Sequence, residues 1–223
     1  MNFPPRTAEV DADAIMERLI ANAVKDTAPL PMQSPTAPAR EYRPVLFPLD
    51  FQLPEGATIL RDAHRAVQWW LNDLLHNCNH KARWIILSGP PGCGKSHLLN
   101  NAHRTVREFR LSPVFRNRAV SMADDLRNGK YEKIPQMWAP ARALFIDDFG
   151  AEQKSDFLTA KWFDLLDARL GKWTFITTNL TPEQIAERMD VRIESRLYHG
   201  QNVIVDMRGA LDWRKLNNPS VSA

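Results

Sequence analysis

Residues 89–96 read Gly-Pro-Pro-Gly-Cys-Gly-Lys-Ser, and Gly89, Gly94, Lys95 and Ser96 meet the spacing Gly-x-x-x-x-Gly-Lys-Ser/Thr. These residue types at this spacing suit the capture of a phosphate chain. Glycines, lacking a Cβ, let successive backbone N–H groups curl around an anion. A helix starting near Gly94 adds its positive end. The lysine reaches the β- and γ-phosphates, and the serine hydroxyl can hold Mg²⁺. Read alone, the stretch could be a Gly-rich turn with a surface lysine. However, the apolar run Trp84–Leu87 precedes it and His97-Leu98-Leu99 follows, so it joins a strand to a helix, as a P-loop requires. The candidate nucleotide-binding residues are therefore Gly89, Pro90, Pro91, Gly92, Cys93, Gly94, Lys95, Ser96 and His97, and the ligands are a nucleoside triphosphate and Mg²⁺.

Such a loop needs an acid beside its serine. Ala143-Leu-Phe-Ile-Asp-Asp148 reads as a buried strand ending in two carboxylates. Asp147 is placed to hold Mg²⁺ with Ser96, and Asp148 to orient or deprotonate an attacking water. Asn179 follows the strand Trp173–Thr178. It either touches the γ-phosphate or the attacking water, or serves only as a turn former.

The elements that position these residues alternate between strand and helix, which predicts an α/β chain with a mostly parallel five-stranded sheet. Over 57–77, Ala63, Ala66, Val67, Trp70, Leu71, Leu74 and Leu75 make a helical core stripe, with Trp69 outside it and His64, His76 and His80 as surface residues. Pro113–Val120 reads as a strand whose arginines place it at a sheet edge. Ser121–Asp124 reads as a capping-box variant opening a helix that Gly129 closes. A helix over 156–170, a capped helix start at Thr181-Pro182-Glu183-Gln184 and a final strand over 202–205 complete the core.

The 223 residues suffice for one sizeable domain plus an appendage, and 44% hydrophobic with 25% charged residues is ordinary for a globular chain. No apolar stretch approaches the ~18 residues of a membrane span, and Met1–Val10 does not resemble a signal peptide. Two cysteines suggest neither a disulfide framework nor a zinc site, and the expected location is cytoplasmic. The net charge of +3 permits nucleic-acid binding without establishing it. Arg104, Arg107, Arg110, Arg116 and Arg118, interleaved with Phe109 and Phe115, suit single-stranded nucleic acid or, equally, a solvated helix face. Over 7–25, Ala12, Ile15, Met16, Leu19 and Ala23 line one helical face. The prolines from Pro29 to Pro48 that follow make a linker. That helix is either a partner-docking element or a terminal helix lying back on its own domain.

Together, GPPGCGKS at 89–96, LFIDDFG at 144–150, TTNL at 177–180 and DVRIESRLYHG at 190–200 resemble the AAA+ ATPases, more narrowly the DnaC/IstB group of helicase loaders and transposition helper ATPases. The resemblance implies ATP with Mg²⁺, Asp147 and Asp148 as the Walker B pair, and Asn179 as sensor 1. It also implies Arg196 as an arginine finger serving a neighbouring subunit, with Arg192 the weaker choice, and hence a homo-oligomer in the ATP state. Arg214 would take part of the sensor 2 role. An aspartate at 148, where many relatives carry glutamate, has a shorter reach to the water. The expected organisation is an N-terminal partner-docking helix over 1–28, a linker over 29–55, the ATPase domain over 56–215 without a C-terminal lid, and a tail over 216–223. The implied function is ATP-dependent loading of the replicative helicase, held by the N-terminal region, onto single-stranded DNA. The alternatives are a transposition helper that binds duplex DNA and a scaffold that binds ATP but barely turns it over.

Overall fold

The computed structural model describes residues 57–76, 82–129, 137–198 and 200–212, all within the unit Arg43–Ala223. The expected N-terminal helix, the linker, His80, Arg214 and the tail lie outside the described residues. In chain order the elements are α1 (Thr58–His76), β1 (Trp84–Ser88), α2 (Lys95–Glu108), β2 (Val114–Arg118), α3 (Ala119–Arg127), β3 (Ala143–Phe149), α4 (Asp156–Ala168), β4 (Trp173–Thr178), α5 (Pro182–Arg188), α6 (Val191–Leu197) and β5 (Val203–Asp206).

The strands form one sheet in the order β2-β3-β4-β1-β5, and every pairing is parallel. The inner strands β1, β3 and β4 are buried along nearly their whole length. That is why β1 and the first four residues of β3 read as continuous apolar runs rather than as alternating ones, while β4 buries three threonines among its apolar residues. The edge strands β2 and β5 are only half-buried, and the two arginines of β2 mark that edge as expected.

Alternation along each strand divides the core in two. Ile85, Leu87, Phe145 and Phe175 face α1 and α2. Trp84, Leu144, Ile146 and Ile176 face α3, α4 and the residues Ile185, Ile193 and Leu197 of α5 and α6. On the first side the α1 stripe centres on Trp70, which meets Phe145, Trp173 and Phe175 edge-on and donates its indole N–H to Arg83 O over 3.0 Å. Next to the second side, the buried Arg169 guanidinium donates to the carbonyls of Trp138, Ala139, Ala141 and Trp173 and to Thr174 Oγ1. Burial pushes it down to about 10.

Several boundaries differ from those read in the sequence. α3 starts at Ala119, not after Ser121, and its N-cap Arg118 makes no side-chain cap bond. The β2–β3 ladder ends at Arg118 opposite Asp147, so the chain turns from strand directly into helix with no room for a serine-capped loop. β5 ends at Asp206 because it stays in register with Ser88. Asn202 precedes it and is occupied in accepting from Trp84 N and donating to Arg196 O and Leu197 O. His64 and His76 are half-buried, not surface residues, because they border the α1 stripe. The start of α5 matches its reading: Thr181 and Gln184 form a reciprocal capping box with Pro182 in the first turn.

Candidate nucleotide-binding site

The loop 89–94 leaves the buried end of β1 and is fixed from two sides. Gly89 N donates to Thr178 O of β4 over 3.2 Å. Gly92 and Gly94 adopt φ of 83° and 96°, a left-handed geometry that glycine takes without a Cβ penalty. The segment after β5 closes over the loop. A Cβ on Gly89 would lie 2.9 Å from the Met207 backbone, and one on Gly92 would lie 2.1 Å from Asp212 Oδ1. α2 then starts at Lys95 with Gly94 as its cap, and no side chain satisfies the first N–H groups. A 14-residue helix thus presents its positive end to the loop.

Lys95 is buried, and its ammonium donates to Gly89 O and Pro90 O, each over 2.7 Å, and approaches Cys93 Sγ at 3.6 Å. Burial pushes it below its ordinary value, while Cys93 and the two aspartates pull the other way. His97, one turn into α2, shares a 2.9 Å hydrogen bond with Asn101.

The acids arrive from β3. Asp147 is buried, and its Oδ1 accepts from Ser96 Oγ over 2.8 Å and from Thr177 Oγ1 over 2.6 Å. Its Oδ2 lies 3.8 Å from Arg116. A bulge interrupts the β3–β4 register between Ile146 and Phe149, where Asp148 takes a φ of 58°. Its backbone N–H donates to Thr177 Oγ1 over 3.0 Å, and its carboxylate meets Arg118 at 3.3 Å. Asn179 is exposed just beyond β4, next to the Thr178 whose carbonyl holds Gly89.

The fold therefore brings Lys95, Ser96, Asp147, Asp148 and Asn179 to the carboxyl ends of β1, β3 and β4, where open parallel sheets bind ligands. It does not bring Arg196 among them. Arg196 stands on α6, paired with Asp167 of α4 at 2.9 Å, its guanidinium 5.3 Å from the Phe163 ring centre. Arg192 lies over the same ring at 4.7 Å and pairs with Asp190 at 3.1 Å.

The basic stretch divides. Arg104, Arg107 and Arg110 are exposed on α2 and the turn after it, beside Phe109, which is also exposed. Arg116 and Arg118 instead face the two aspartates, and Phe115 packs on the core. The sequence reading missed both this role for the β2 arginines and Thr177. The signal lies in strand register, which sets Arg118 opposite Asp147 and Phe149 opposite Thr178.

Residues 65–205 match the family of IstB-like ATP binding proteins. The chromosomal replication initiator protein DnaA 2 of Chlamydia caviae is 31% identical over 128 residues, or 52% of this chain and 26% of that protein. Among solved structures, the DnaC helicase loader aligns with a TM-score of 0.57 at 20% identity, covering 70% of this chain and 93% of that one. DnaI aligns at 0.57 and 18%, covering 70% and 88%. A replication initiator DnaA bound to AMPPCP and single-stranded DNA aligns at 0.55 and 20%, covering 70% and 47%. These structures share the AAA+ P-loop fold with this one. By its match over residues 65–205, this chain belongs to the family of IstB-like ATP binding proteins.

Proposed function

We propose that this chain is an ATP-dependent loader of the replicative DNA helicase onto single-stranded DNA, with ATP binding and hydrolysis as an assembly switch. The observation that carries the ATP half is the bond from Ser96 Oγ to Asp147 Oδ1 at the mouth of a glycine cradle. A hydroxyl and a carboxylate are hard oxygen donors that suit Mg²⁺. Among the described residues no cluster of three or more His, Cys, Asp or Glu forms a metal cage. Ser96 and Asp147 would hold such an ion beside the phosphates of a nucleotide. When bound there, Mg²⁺ supplies charge neutralisation to the phosphates.

In this reading the chain's own residues divide the work. The N–H groups from Gly92 to Ser96 hold the phosphates, and Lys95 exchanges its two carbonyl acceptors for phosphate oxygens. Ser96 and Asp147 hold the ion. Asp148 takes a proton from the attacking water once its carboxylate leaves Arg118, and Asn179 orients that water. Arg196, which pairs with Asp167 in its own chain, completes the site of a neighbouring copy. Arg104, Arg107, Arg110 and Phe109 supply phosphate pairing and base stacking for single-stranded DNA. The N-terminal segment holds the helicase.

The loader reading draws support from the solved chain of the DnaC helicase loader, 93% of which this chain covers. A second reading, a transposition helper that binds duplex DNA, is favoured by the IstB-like family itself. A pull-down against the host replicative helicase separates the two. The loader reading expects capture that is lost on deleting residues 1–45. Filament formation on duplex DNA without helicase capture would instead favour the helper.

A further inference from the structure

Thr177 is fully buried, and none of the roles assigned above uses it. Its hydroxyl has two partners on β3. Oγ1 donates to Asp147 Oδ1 over 2.6 Å and accepts the N–H of Asp148 over 3.0 Å. A hydroxyl has one proton to give and lone pairs to receive, so both bonds form at once without conflict. They bracket the peptide between the two acids, where the β3 bulge falls and where Asp148 adopts its φ of 58°. Few non-glycine residues occupy that region. The neighbouring Thr178 fastens the far side of the bulge by donating to Phe149 O over 2.8 Å.

From this geometry we infer that Thr177 is a positioning residue for the metal-binding carboxylate. It holds Asp147 Oδ1 toward Ser96 and pins the backbone of Asp148, whose carboxylate meets Arg118. The choice of side chain follows from position. Period-two alternation sets Thr177 on the same sheet face as Phe175, and Asp147 on that face with Phe145. Residue 177 is therefore the β4 side chain that reaches the acid pair. Valine, the same shape without the hydroxyl, would leave the Asp148 N–H without its acceptor and Asp147 with one donor fewer. The inference rests on the ATP–Mg²⁺ reading of the site.

The test titrates Mg²⁺ into the full-length protein with fluorescent ATP and follows nucleotide affinity, with metal-free binding and Tm measured alongside. Thr177→Val is expected to bind metal-free nucleotide within twofold of wild type and to need about tenfold more Mg²⁺ for half its affinity gain, about 1.4 kcal/mol of positioning. Thr177→Ser is expected to restore the wild-type midpoint, since it keeps the hydroxyl. Thr177→Ala carries the same expectation as valine should the valine variant not fold. A valine or alanine midpoint equal to wild type overturns the inference, as does a serine midpoint displaced as far as valine's. A wild-type protein whose affinity ignores Mg²⁺ removes the ATP–Mg²⁺ reading and this inference with it. That result is distinct from a responsive wild type matched by its variant.

Discussion

Ser96 Oγ donates to Asp147 Oδ1 over 2.8 Å, tying the first turn of α2 to the end of β3 across 51 residues of sequence. The bond preassembles two oxygens at the spot where a divalent ion would bridge protein and phosphate. Ser96→Ala is expected to bind metal-free ATP within about twofold of wild type and to lose the gain that Mg²⁺ brings. The cost in stability should stay near 1 kcal/mol, the ordinary worth of one hydrogen bond. Calorimetric titration with and without Mg²⁺, plus urea unfolding, checks both.

Gly92 sits where the chain after β5 comes down on the loop. Its φ of 83° strains any residue with a side chain, and an added Cβ would force the Asp212 carboxylate to swing aside. Gly92→Ala is expected to lose about 1–3 kcal/mol from the backbone conformation alone. Urea unfolding reads that loss. Unchanged stability would show that Gly92 does not hold its left-handed conformation in solution.

How much of this was legible beforehand depended on the range of the interaction. The loop 89–96, the capping box at Thr181 and Gln184 and the apolar strands are local patterns, and each appears where its residues put it. The edge placement of β2 was legible from Arg116 and Arg118, because charge avoids a central strand. What those arginines touch was not. Their pairing with Asp148 and Asp147 depends on which strand lies beside β2, and spacing along one strand carries no such information. Thr177 was missed for the same reason. The false helix start at Ser121 has another cause: a local capping pattern was overruled by a strand that runs straight into its helix.

Glu152 follows the acid pair by four residues and is buried, with Gly150 N donating to its Oε2 over 2.9 Å. Burial raises its carboxyl above the ordinary 4.5, against the pull of the Gly150 N–H and Arg188. The folded chain therefore keeps this proton at pH values where the unfolded chain has released it. Its contribution to stability falls as the pH rises above 4.5 through the folded value, and stays lower beyond. Glu152→Gln is expected to melt higher than wild type at pH 7, with the gap closing as the pH drops below 4.5. A gap that does not change with pH would contradict this.

Arg196 pairs with Asp167 at 2.9 Å on a partly exposed face, and such pairs contribute about 0–1 kcal/mol. Arg196→Ala should fold and bind ATP as wild type does, yet lose DNA-stimulated hydrolysis. Mixing it with the Lys95→Ala variant should return part of the activity, because an intact finger would then face an intact loop. Hydrolysis that survives the Arg196 change would dismiss the finger assignment.

The most direct test of the central claim, that 89–96 is an ATP site, is calorimetric titration of ATP with Mg²⁺ into wild type and Lys95→Ala. Lys95 spends its ammonium on Gly89 O and Pro90 O, so alanine removes the loop's one lysine and leaves its glycines in place. Saturable one-site binding by wild type, weakened at least a hundredfold in the variant with the far-ultraviolet spectrum unchanged, is the expected result. Equal affinity in the two proteins, or no binding by wild type, would contradict it.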